Sequence, residues 1–70
     1  MIPLTVVPLK EEHVIRKIGG NDDVRHHLNN LGFVVGAQVC VISSMNGNLI
    51  VKIKESRIAL DQELARCILV

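Results

Sequence analysis

Between Asn21 and Gly36 the chain carries its one clear helical signal, and that signal ends abruptly. Asn21 or Asp22 can cap the start. Asp22 and Asp23 put negative charge in the first turn, where the helix dipole favours it. Val24, Leu28 and Leu31 then recur at helical spacing, one apolar stripe on an otherwise polar segment. Gly32 follows at once and can take the left-handed conformation that closes a helix, with Phe33 placed to fold back on Leu28 or Leu31. Val34-Val35-Gly36-Ala37 suits a type II turn, with Gly36 where positive φ is needed. A helix of about three turns that stops this sharply hands the chain into a strand, and everything else in the sequence reads as strand or turn.

The rest of the composition agrees with a β scaffold. Hydrophobic residues make up 49% of the 70, nearly all aliphatic, and Phe33 is the only aromatic. Stiff, β-branched side chains suit strands. Eight basic against seven acidic residues leave a formal charge of +1, which offers no basic stripe for nucleic acid. Stacking aromatics for single strands are missing too. Cys40 and Cys67 form no CxxC pair, and a small secreted domain usually carries more cysteines, so a reducing, cytoplasmic location is expected. The apolar run Ile2 to Leu9 is broken by Pro3 and Pro8 and is too short for a signal core or a membrane insertion. Residues 1–70 are expected to form one domain.

Taken in order, Leu4 to Leu9 is expected to be extended, packing Leu4 and Val7, and Lys10-Glu11-Glu12 to be a solvated turn. His13 to Ile18 reads as the first strand with Ile15 and Ile18 packed, and Gly19-Gly20-Asn21 releases the chain into the helix. Gln38 to Ser44 is a strand with Val39, Val41 and Ser43 on one face. Asn46-Gly47 marks a hairpin, and Leu49 to Lys54 returns with Leu49, Val51 and Ile53 on one face. A reversal at Glu55-Ser56 leads to a strand from Arg57 to Leu60. Asp61 can cap a single helical turn, and Cys67 to Val70 ends the chain as a strand that needs a sheet to pair with. About five short strands with a helical insertion after the first favour a mainly β fold, a small, partly open barrel.

Ile15, Ile18, Gly19-Gly20, Leu28, Leu31-Gly32-Phe33, Gly36, Val39 and Val41 lead to the ending Ile58-Ala59-Leu60, Ala65 and Ile68-Leu69-Val70. Together these resemble the FeoA family, small cytosolic partners of the ferrous iron transporter FeoB. The likeness covers nearly the whole chain. It implies an SH3-like barrel, a fold shared with the C-terminal domain of iron-dependent repressors. It also implies a role in ferrous iron uptake through contact with the membrane transporter and its cytosolic GTPase domain. Glycines common in the family near Lys10 and Glu55 are absent here, and the loop at Met45–Asn48 is shorter than usual.

Catalysis finds little support. Gly19-Gly20 and Gly32/Gly36 lack the lysine and spacing of a phosphate loop, and no serine has a matched acid–histidine pair. The chain is therefore expected not to be an enzyme and to require no cofactor, leaving weak Fe(II) or Zn(II) contact to weigh. Asp22 and His26, and likewise Asp23 and His27, lie four apart and face the same way on the helix. His26 and His27 are about 100° apart around the axis and cannot chelate one ion together. A firm site needs three or four ligands, and the plainer role of these residues is to serve the helix start or stay solvated. The cysteines suit small buried hydrophobes.

A partner surface is expected from Arg25, His26, Asn29, Val34 and Val35. The residues expected to hold the core are Ile15, Ile18, Leu28, Leu31, Gly32, Gly36, Val39, Val41, Leu60 and Ile68. The leading expectation is a binding module docking on a transporter. The alternatives are a direct metal carrier or sensor and a repressor's regulatory domain, the latter calling for a helix-turn-helix region that is not visible here.

Overall fold

The Asn46-Gly47 hairpin anchors the architecture in the computed structural model, which describes residues 1–70. Asn46 and Gly47 hold φ of 55° and 85°, the two left-handed residues of a type I′ turn, whose twist matches that of the strands it joins. Those strands are β3 (Gln38–Met45) and β4 (Asn48–Ile53). Together with β1 (Glu12–Val14) and β5 (Ser56–Leu60) they make an antiparallel sheet in the order β1-β3-β4-β5. A second, two-stranded sheet joins β2 (Lys17–Ile18) to β6 (Ile68–Leu69). Pro3 bridges the free side of Leu69, so the chain's last strand does find its sheet. The fold is mainly β and partly open: the sheets wrap one core without closing into a continuous barrel.

Six short strands replace the expected five, because His13–Ile18 is not one strand. Ile15 N–H donates to the Ala37 carbonyl at 2.9 Å, while Arg16 N–H donates to the Leu69 carbonyl at 2.8 Å. The chain thus changes sheets between adjacent residues, and the helix follows the second strand. Three further expectations are corrected. Leu4–Val6 is a 3-10 turn rather than extended, though Leu4 and Val7 are buried as expected. The second reversal falls at Lys54-Glu55, one residue early, with Lys54 at φ 54°. Ser43 does not share the face of Val39 and Val41. A bulge at Ile42 shifts the register so that Val41 opposes Val51 but Ser43 opposes the outward Ile50.

The core contains Ile15, Ile18, Leu28, Val39, Val41, Leu60 and Ile68, together with Phe33, Val51 and Ala65. Leu31 packs against this core half-buried. Gly32 and Gly36 were expected in the core but serve as backbone hinges, with φ of 103° and 93° and no neighbouring atom near a hypothetical Cβ.

Helix α1 (Asp22–Asn30) starts as its sequence dictates: Asn21 Oδ1 accepts from Val24 N–H at 2.9 Å. It closes in a Schellman motif, with Gly32 N–H donating to Asn29 and Phe33 N–H to Leu28. Ala37 N–H then donates to Val34 at 3.1 Å, closing the turn around Gly36. The one-turn helix α2 (Gln62–Ala65) is capped by Asp61, whose Oδ1 accepts from Leu64 N–H, and Asn48 Oδ1 accepts from Gln62 N–H. These bonds dock α2 on the β3–β4 hairpin and push Ala65 into the core.

Candidate functional site

Since α1 buries only Leu28 completely, most of its surface faces outward. Arg25, His26 and Asn29 are exposed on it, and so are His27 and Asn30. Val34 and Val35 follow in the turn, 41% and 64% exposed. The Schellman ending joins this turn to the helix, so the five residues expected to face a partner sit on one continuous excursion from the sheets. Arg25 is not free, because its guanidinium pairs with the Asp22 carboxylate one turn earlier.

That pairing bears on metal binding. Asp22 pairs with Arg25 at the surface, whereas the Asp23 and His27 side chains are exposed and make no ion pair or hydrogen bond. No three His, Cys, Asp or Glu side chains converge anywhere in the chain. The cysteines are free and half-buried, more accessible than the core role expected of them. The Cys67 thiol donates to the Glu63 carbonyl at 3.4 Å and lies beside Gly20 at the helix start. Cys40 is on the outer face of the large sheet, opposite Glu12 on one side and Lys52 on the other.

Two features had no counterpart in the sequence reading. Ser43, Met45, Ile50, Ala59, Leu60 and Asp61 help line an open groove of about 460 Å³ at the hairpin end of the sheet. The alternation of β4 already placed Ile50 outward, but only the bulge brings Ser43 beside it. The other feature is His13, whose Nε2 is buried without a hydrogen-bond partner. It opposes the core residue Val39, a pairing that no local pattern reveals.

The architecture defines an SH3-like module. The profile of the FeoA domain matches residues 2–70, and the chain belongs to the FeoA family. A Methanocaldococcus jannaschii protein assigned as Fe(2+) transport protein A is 33% identical over all of this chain and 85% of its own length. The zinc complex of Stenotrophomonas maltophilia FeoA, described as a procaryotic SH3-domain protein, superposes with a TM-score of 0.84 at 25% identity, covering 99% of this chain and 88% of that one. A manganese-dependent transcriptional repressor shares the fold at a TM-score of 0.86 and 14% identity. The match covers 94% of this chain and only 38% of the repressor. No helix is long and apolar enough to cross a membrane.

Proposed function

We propose that this protein is a cytoplasmic accessory of ferrous iron uptake that works by contact, docking on the GTPase domain of a FeoB-type membrane transporter. The observation that carries this reading is the outward excursion of α1 and its turn, with Val34 and Val35 exposed on a chain of the FeoA family. A small rigid surface can bias a partner's conformational equilibrium when it binds two states with different affinity. Arg25, His26, Asn29, Val34 and Val35 would make that contact, and no bond-making step is needed for it. Titrating a cognate GTPase domain into isotope-labelled protein tests the placement. Shifts at these five residues support it; shifts confined to the opposite sheet would overturn it.

Direct metal contact is a second reading, favoured by the exposed Asp23 and His27 one helical turn apart and by the zinc complex of the Stenotrophomonas relative. Anaerobic Fe(II) and Zn(II) titrations of the protein, and of a His27→Ala variant, decide it. Binding that survives the substitution unchanged would remove the helix from consideration.

A further inference from the structure

The outer face of the large sheet carries a charge pattern that the helix surface does not share. Strand register aligns Glu12, Cys40, Lys52 and Arg57 in one row across all four strands. Lys52 and Arg57 are direct cross-strand partners on adjacent strands about 5 Å apart, and like charges so placed repel. Neither has a carboxylate within salt-bridge distance. The two ion pairs of the chain, Arg25–Asp22 and Arg66–Glu63, are both on helices. Lys54 adds a third unpaired cation at the β4–β5 turn, where it occupies a left-handed backbone conformation that glycine adopts at lower cost. Lys52 and Lys54 also line a hollow of about 120 Å³ with Glu12, Gln38 and Cys40. The Glu12 carboxylate already borders this hollow, so an incoming anion is drawn to the β5 side of the two lysines.

We propose that this face receives an acidic segment of a protein partner, a run of aspartate or glutamate whose carboxylates are held by Lys52, Lys54 and Arg57. The like-charged pair and the left-handed lysine each disfavour the free protein, and both put positive charge on the same surface. An anionic partner relieves the repulsion between Lys52 and Arg57. Glu12 stands two strands away from Lys52, roughly 10 Å, and repels the segment from the β1 side. The segment therefore lies along β4 and β5. This inference rests on the reading of the chain as a docking module, but uses a surface separate from the helix and its turn.

The test is a titration of labelled protein with a hexaglutamate peptide, at low and then high salt. Shifts centred on Cys40, Lys52, Lys54 and Arg57 are expected, weakening several-fold as salt screens the contact. Lys52→Glu and Arg57→Glu should abolish them. Glu12→Gln should tighten binding. Lys54→Gly is the discriminating variant: it should weaken binding several-fold while raising the midpoint of denaturant unfolding, so loss of fold cannot account for the loss of binding. Absence of localised shifts would overturn the proposal. So would equal shifts at Arg16 and Lys17, or the same shifts produced more strongly by inorganic phosphate or phosphatidylserine vesicles. If hexaglutamate fails while a GTPase domain still shifts Arg25 to Val35, the sheet proposal falls alone. If the reverse is seen, the transporter reading falls alone.

Discussion

The backbone N–H of Phe33 donates to the Leu28 carbonyl at 2.9 Å, and both side chains are completely buried. One bond therefore ties the end of α1 to the residue that fastens it to the barrel. The ring that follows Gly32 fills the largest single place in the core. The outward face of the helix is presented from these two buried side chains.

Leu28→Ala should destabilise the domain by about 2–5 kcal/mol, because the cavity opens beneath the helix's one fully buried anchor. On a domain of this size that is a large share of the total stability. Urea unfolding followed by circular dichroism checks it. A loss below about half a kcal/mol would contradict the burial of this residue.

Lys10→Gly should raise stability by about 0.5–1 kcal/mol, since Lys10 sits at φ 63° and its N–H bond to the Val41 carbonyl survives the change. Gly32→Ala should act oppositely by about 1 kcal/mol. No atom lies near the added methyl, so the whole cost is backbone conformation. Paired denaturant melts of the two variants separate these signs.

His13→Leu should leave stability unchanged or raise it by about 1 kcal/mol. The buried Nε2 has no partner, and an apolar side chain of similar size removes an uncompensated polar atom. A clear loss in thermal unfolding would mean that the ring nitrogen is satisfied in solution.

Asp61→Ala should cost about 1 kcal/mol and act locally, by removing the acceptor for Leu64 N–H. Hydrogen exchange should quicken at Leu64 and Ala65 well before it changes at Val51 in the sheet centre.

Elements governed by neighbours in the chain were legible in the sequence. The cap at Asn21, the stop at Gly32 and the turns at Gly36 and Asn46-Gly47 depend on a few adjacent residues. The alternation of Leu49, Val51 and Ile53 needed only strand periodicity. What escaped notice depends on distant partners. Ile15 and Arg16 divide between two sheets because Ala37 and Leu69 lie on either side of them, and no pattern within His13–Ile18 encodes that. The bulge at Ile42 carries no glycine to announce it, so strand alternation alone puts Ser43 on the wrong face. Val34 and Val35 were legible as part of an exposed surface. Only register shows Lys52 and Arg57 to be directly opposed, and only the backbone shows Lys54 in a glycine conformation.

The excursion that carries α1 leaves and rejoins the barrel through two nearby fastenings. Gly19 N–H donates to Cys67, and Gly36 N–H donates to Ile15 at 2.8 Å. A segment clasped at its roots and pinned at Leu28 and Phe33 can be rewritten on its outward side. New recognition residues can stand there while those two side chains go on filling the core beneath.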